Sequence, residues 1–373
     1  MEQPICFLPT HDPLDTLPEA FSFWEITAKN LPKLLIASQF QKKLKELPSF
    51  SIDKLRTDSE YERSMQILSF FGHAYVWGQK NVPNAIPEVL AKPWFEVAKH
   101  LGRPPVLSYA SYALTNWKRI DRTGPIDLGN IVLIQNFLGG IDEEWFILVH
   151  VAIEAKAGQA LDCCVEAIKA VQNEDQKSLM QTLQNLKTSL ENICDTLDRM
   201  PEHCDPYIYY QRVRPYIHGW KNHPLFPKGL IYEGVQEYSE KPQQFRGETG
   251  AQSSIIPTLD GLLGIKHAPG ELYQYLQEMR EYMPPKHREF IVYIENTSQI
   301  RSYVQANREF HTIYNACVSL VNRFRETHLG YAAAYIQKQH QDNAKNPTSV
   351  GTGGTPFMDY LKKHKDETES FLL

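Results

Sequence analysis

Between Arg308 and Gln339, apolar residues return every three or four positions: Phe310, Ile313, Cys317, Leu320 and Phe324, then Tyr331 and Tyr335. That is the period of a helix with one apolar stripe, and a strand, whose faces alternate every second residue, cannot use it. The same period governs the chain from Glu143 to Met200. Trp145 to Ile153 is apolar on every side except His150, so a helix there must be enclosed by others. An alanine-rich face continues it to Val171. Leu179, Leu183, Leu186, Leu190, Ile193, Leu197 and Met200 then alternate spacings of four and three until Pro201 stops the run. With Asn173-Glu174-Asp175 as the turn, the two stretches read as an antiparallel hairpin inside a bundle. The fold class this implies is all-α.

The rest of the chain is consistent with that class. Thr57 and Glu60 have the spacing of a capping box ahead of Tyr61, Met65, Leu68 and Phe71. Residues 81–94 carry three prolines and read as a loop with at most one turn of helix. Residues 104–121 mix aromatic and small side chains and read as helix. Residues 126–140 have moderate strand character but are short, and helix or irregular structure is expected there. Residues 221–250 are the least regular. Helices resume over 253–265, 270–282 and 285–295, and the polar stretch 341–350 reads as a mobile tail.

Length and charge set further bounds. A chain of 373 residues has room for two or three domains, and a net charge of -5 gives no reason to expect nucleic acid or an acidic membrane as partner. No apolar run approaches the roughly eighteen residues of a membrane span, and the first residues lack the basic and apolar parts of a signal peptide. The six cysteines show no CxxC spacing, so a reducing cytoplasm is the expected setting.

Several residues carry possible chemistry. His328 lies four residues after Phe324 and three before Tyr331, which aims its imidazole at the core. Gly330 and Ala332-Ala333-Ala334 leave room beside it for something broad and flat. One reading is a core histidine hydrogen-bonded to a neighbour; the other is an axial ligand to haem iron, which needs a neutral imidazole on a rigid element. Arg214 lies among Tyr207, Tyr209, Tyr210, Tyr216 and Trp220. It is either a solvated surface residue or a two-pronged clamp for a carboxylate. Arg325, one turn before His328, suits a haem propionate or an acidic partner such as Asp260, with an ordinary surface salt bridge as the alternative. The run GTGGT at residues 351–355 has no Lys-Ser/Thr after it and no strand before it, so it is weak as a phosphate loop. It reads equally as a lid over a polar ligand edge or as a linker. Residues 245–254, FRGETGAQSS, read as a connector that caps the next helix through Ser253 or Ser254, or as a second such loop.

Together these segments resemble the indoleamine 2,3-dioxygenase family. The likeness is carried by TNWKRID (115–121), GWKNHP (219–224), GLIYEGV (229–235), GAQSSIIPTLDGLLGI (250–265), MREYMPPKHREFI (279–291), the THLGYAAAYI segment around His328, and GTGGTPFMDYLK (351–362). It runs from about residue 104 to the C-terminus. The resemblance implies a two-domain helical fold, residues 1–125 and 126–373, with haem b between a small and a large domain. It implies His328 as the proximal iron ligand, with Asp260 and Arg325 steadying that ligand and a propionate. It implies Arg214 as the anchor of the substrate carboxylate and Thr352 as a contact to the substrate's amino-acid end. Tyr109, Phe146, Tyr209 and Tyr210 would line the indole pocket, and Gly247 to Thr249 would pass over the distal face of the haem. His150 stands where mammalian members carry serine, and is similar to the distal histidine of tryptophan 2,3-dioxygenases; a buried structural histidine is the alternative. The implied activity is cleavage of the indole 2,3 bond of L-tryptophan by O2, giving N-formylkynurenine, in a monomer. A related haem enzyme acting on a substituted tryptophan or indole, and a non-catalytic haem or ligand sensor, are the competing readings.

Overall fold

The computed structural model describes residues 6–339 and 345–373. The capping box at Thr57 forms as its spacing predicts: the Thr57 hydroxyl accepts from the Glu60 amide, and the Glu60 carboxylate accepts from the Thr57 amide, both at 3.3 Å. From it runs the helix Asp58–Trp77, buried almost without interruption from Arg63 onward. Against it packs the helix Glu88–Leu101, where a proline-broken loop was expected. Pro87 caps that helix and Pro93 sits inside it. The hydrogen bond lost at Pro93 is offset by burial of Leu90, Trp94 and Val97. The two helices approach closely because residue 72 is glycine: a Cβ there would lie 2.1 Å from the Trp94 ring. Trp94 completes the contact by donating to the Ser69 hydroxyl at 3.1 Å.

Two further expectations give way to short strands. Residues 104–121 form only a π-helical turn, Ala110–Leu114, and then the strand Trp117–Arg119. That strand pairs antiparallel with Ile131–Leu133, where helix or irregular structure was expected. The run Ile131-Val132-Leu133 is β-branched at two of three positions, which suits an extended backbone. A second ladder joins Ala85–Ile86 in parallel to Ile231–Tyr232 within the irregular region.

The long hairpin is present as Ile141–Gln172 and Gln176–Leu197. Glu174 takes a left-handed conformation at the turn, and the Asp175 carboxylate caps the second helix by accepting from the Ser178 amide at 3.0 Å. The helix His311–Ala332 packs on the second arm, and the helix Phe357–Glu369 packs on His311–Ala332 in turn. The fully buried face of His311–Ala332 is Tyr314, Cys317, Val318, Val321 and Arg325. Ile313, Leu320, Phe324 and Tyr331 from the expected stripe are only half-buried. The core face is therefore rotated from the apolar stripe, and Phe324, His328, Tyr331 and Tyr335 border a cavity instead.

The buried apolar side chains form two clusters. One joins residues 8–151 to parts of 217–282, and the other joins Phe7 and parts of 149–335. Ile147, Leu148 and Val151 belong to the first; Val149 and Ile153 belong to the second. The helix Ile141–Gln172 is thus a shared wall, and His150 sits where its faces change allegiance. All six cysteines are free, and no helix among the described residues is long and apolar enough to cross a membrane. Of the stretch read as a mobile tail, residues 341–344 lie outside the described residues. The segment beyond residue 344 is anchored, with Asn346 fully buried.

Candidate functional site

A cavity of about 1240 Å³ is walled by Phe146, His150 and Ile153 on one side and by Phe324, His328 and Tyr331 on another. Such a volume exceeds the roughly 300–1,000 Å³ that serves a single drug-sized ligand. Of the residues singled out in the sequence, the wall brings together Tyr109, Phe146, His150, Tyr209, Thr249, Asp260, Arg325, His328 and Thr352. Arg214, Tyr210 and Gly247 are not part of it.

His328 has a bare surface, yet protein surrounds it on all sides, because its exposed face looks into the cavity and not into solvent. Burial, with a smaller contribution from His150, pushes its pKa down to about 4, so the imidazole is neutral. It makes no hydrogen bond to the described residues. His150 differs in having one nitrogen committed. Its Nδ1 lies 2.7 Å from the Phe146 carbonyl oxygen, an acceptor only, so the proton is on Nδ1 and Nε2 is left as an acceptor. Burial lowers the pKa of this imidazole too. Its ring meets Phe146 and Tyr109 edge to face, at centroid distances of 4.7 and 5.9 Å. One turn further along, Glu154 accepts from the Ser253 hydroxyl at 2.7 Å. Burial pushes its carboxyl up to about 7 against the hydrogen bonds from Ser253 and Tyr109.

Behind His328 lies a second network. Arg325 Nη2 donates to Asp260 Oδ2 at 2.6 Å, in a buried pair and not the surface bridge of the alternative reading. Arg325 also donates to the Thr368 hydroxyl, and its Nη2 lies 3.0 Å from His364 Nε2. His267 Nε2 is 2.8 Å from His364 Nε2 and 3.3 Å from Asp260 Oδ2, while its Nδ1 is 2.7 Å from Glu367. Burial alone raises the Asp260 carboxyl, but Arg325 and the His267 hydrogen bond outweigh it and hold it down at about 2. Asp260, His267 and His364 each offer one ligand atom within 4.8 Å of the others. A cation there would be forced against the Arg325 guanidinium, so the cluster reads as a proton and charge network. His364 and Glu367 were missed in the sequence because the helix Phe357–Glu369, which brings them to His267, was not anticipated.

Arg214 is fully buried, and its guanidinium is held by the chain leading into the glycine-rich run. Nη1 donates to the Asn346 side-chain oxygen and to the Pro347 carbonyl at 2.9 Å; Nη2 donates to the Val350 carbonyl at 2.7 Å. Its Nε has no partner among the described residues. Tyr210 serves the same anchor: its hydroxyl donates to the Asn346 carbonyl at 2.6 Å, and its ring lies 5.7 Å below the guanidinium. None of these hydrogen-bond acceptors is charged, and burial lowers the arginine's pKa to about 10. Gly247 is a close-approach glycine: a Cβ there would meet the Gly219 amide at 2.2 Å. On the wall itself, the Thr352 hydroxyl donates to the Glu248 carbonyl at 2.6 Å and ties the two loops together. Glu248, next to Gly247, was not singled out in the sequence. Its carboxyl lines the cavity without a hydrogen bond to the described residues, and burial pushes its pKa up to about 8.

These residues fit a haem. A neutral imidazole without a partner faces a cavity too large for a small substrate alone, and Gly330 has open space where a side chain would begin. Comparison with known proteins agrees. The family model described as "Indoleamine 2,3-dioxygenase" matches residues 1–371. The chain is 37% identical to indoleamine 2,3-dioxygenase 1 of Mus musculus and 33% identical to indoleamine 2,3-dioxygenase of Saccharomyces cerevisiae. Each match covers 97% of this chain and 92% of the relative. It is also 32% identical to a myoglobin of Haliotis madaka, over 95% of this chain and 93% of that protein. The lone imidazole, the aromatic chamber opposite it and the near full-length matches lead to one conclusion: the chain belongs to the indoleamine 2,3-dioxygenase family of haem-dependent oxidoreductases.

Proposed function

We propose that this protein cleaves the indole 2,3 bond of L-tryptophan with O2 to give N-formylkynurenine. The observation that carries the reading is the unpartnered, neutral His328 imidazole facing an aromatic cavity with His150 also on its wall. In this reading His328 holds the iron, and Arg325 with Asp260 fixes the charge behind it. Bound haem supplies the redox centre at which dioxygen reacts. The chain's own task is to bind and orient. Phe146, Tyr109 and Tyr209 give the indole a dry aromatic slot. The bare Nε2 of His150 accepts from the indole N–H, since its other nitrogen is already committed to the Phe146 carbonyl. Thr249 and Thr352 meet the amino-acid end, and the loops that carry them exclude water. Positioning of this kind supplies several kcal/mol of barrier lowering.

Arg214 is assigned to the substrate carboxylate because its buried charge has no counter-ion among the described residues. An uncompensated buried guanidinium is costly, and a carboxylate would remove that cost. Reaching it requires the carbonyls of Pro347 and Val350 to give way. A cytoplasmic setting suits the six free thiols.

The myoglobin among the relatives favours a second reading, a protein that binds haem without turning over an indole. One experiment separates them. The purified protein is loaded with haemin, reduced, and given tryptophan in air while formylkynurenine absorbance is followed. Product formation by the wild type, with haem lost from His328→Ala, supports the dioxygenase. A full haem spectrum with no product favours the second reading.

A further inference from the structure

We propose that Glu248 is the recognition site for the substrate's ammonium group, making the cavity selective for indoles that carry an amine. The inference rests on the proposed function, because it assigns one end of that same substrate. Glu248 is 3% exposed, lines the cavity, and makes no carboxyl hydrogen bond to any described residue. A buried polar group without a partner is uncommon and costly, and one aimed into a binding cavity is completed by its ligand. Its electrostatic neighbours point the same way. No cation contributes to its energetics, and burial is the sole cause of its raised pKa. Arg246, two residues before it in the chain, is already paired with Glu278.

Its placement fits an amino acid. Glu248 lies beside Thr249, and its carbonyl accepts from Thr352, so the carboxyl hangs from the junction of the two loops that border the cavity. Tyr209, on the wall, is within electrostatic reach of both Glu248 and Arg214. Among the described residues, then, a buried carboxyl without a cation and a buried guanidinium without an anion both act on the same phenol. An α-amino acid supplies both missing charges at once. The indole then extends toward His150.

The test uses haem-loaded wild type, Glu248→Gln and Glu248→Asp, with three ligands that share the ring: tryptophan, tryptamine and indole-3-propionate. Affinities are read by titration calorimetry, and KM and kcat by turnover. Glu248→Gln is expected to weaken tryptophan and tryptamine roughly ten- to a hundredfold, as for a lost charge-assisted hydrogen bond, while indole-3-propionate holds or tightens. Glu248→Asp recovers part of the loss. For tryptophan the change falls on KM more than on kcat. Equal weakening of all three ligands, or of none, overturns the inference and leaves the proposed function standing. Failure of the wild type to bind any of the three overturns the proposed function and takes this inference with it. Should the variants not fold, wild type alone still decides: tryptophan and tryptamine must release a proton on binding near pH 7 and indole-3-propionate must not, and equal proton release by all three refutes the assignment.

Discussion

At the scale of the residue, the site is marked by groups that lack partners among the described residues: His328 without a hydrogen bond and Glu248 without a cation on the cavity wall, and Arg214 without an anion behind it. Each predicts a response. Arg214→Ala should raise KM for tryptophan roughly tenfold or more while the haem spectrum stays unchanged, since the arginine is off the cavity wall. An unchanged KM in steady-state turnover would remove it from substrate binding. Arg214→Lys should recover little, because an ammonium cannot reproduce the planar fork. Glu248 adds a pH signature. Burial raises its pKa from 4.5 to about 8, so the folded protein holds a proton there that the unfolded chain has released. Stability of the ligand-free protein should therefore fall as pH rises between those values, and Glu248→Gln should flatten that slope in urea melts at several pH values. Tryptophan affinity should run the other way, rising toward about pH 8 as the carboxylate forms. The titratable groups within reach of that charge are the phenols of Tyr109, Tyr112 and Tyr209, all held neutral by burial. Sequence alone made His328 and Arg214 candidates through their apolar and aromatic surroundings. Glu248 carried no such mark, because one acidic residue in a glycine-rich loop looks solvated until the fold buries it.

At the scale of the element, the helices were legible wherever periodicity and caps agreed. The Thr57 box and the leucine run ended by Pro201 both gave helices close to the expected bounds. Composition misled where packing overrode it. Pro93 sits inside a helix because Trp94 beside it is fully buried over Gly72. Gly72→Ala tests that account directly: its methyl would overlap the Trp94 ring, and the helices must part or the ring must turn. A loss of about 1–3 kcal/mol in denaturant unfolding is expected, with haem content unchanged because neither residue borders the cavity. The helix Phe357–Glu369 was illegible for a different reason. Its apolar residues are few, and it is held largely by polar contacts such as Arg325 to Thr368 and His267 to Glu367.

At the scale of the whole molecule, one helix serves both apolar clusters. Because Ile147 and Val151 belong to one and Val149 and Ile153 to the other, neither cluster can lose that wall alone. Heat or denaturant should therefore unfold the protein in a single transition, with fluorescence and circular dichroism superimposing. Two resolved transitions would mean that the clusters are independent. A small domain of residues 1–125 remains our proposal, with the qualification that its apolar cluster also takes in Trp220, Leu230 and Tyr232 from far along the chain. Residues 1–125 expressed alone should accordingly expose apolar surface and bind a hydrophobic dye.

The hydroxyl of Thr352 resting on the carbonyl of Glu248 carries a last implication. Two stretches about a hundred positions apart in the chain are fastened by this bolt and by Arg246, which donates to the Gly353 carbonyl at 2.5 Å, and a guest in the chamber should strain the weaker of the two on arrival and on departure. A ring-opened product, bulkier and wetter than the indole it came from, would feel that bolt most on the way out. Thr352→Ala should then quicken release while loosening the hold on whatever is inside.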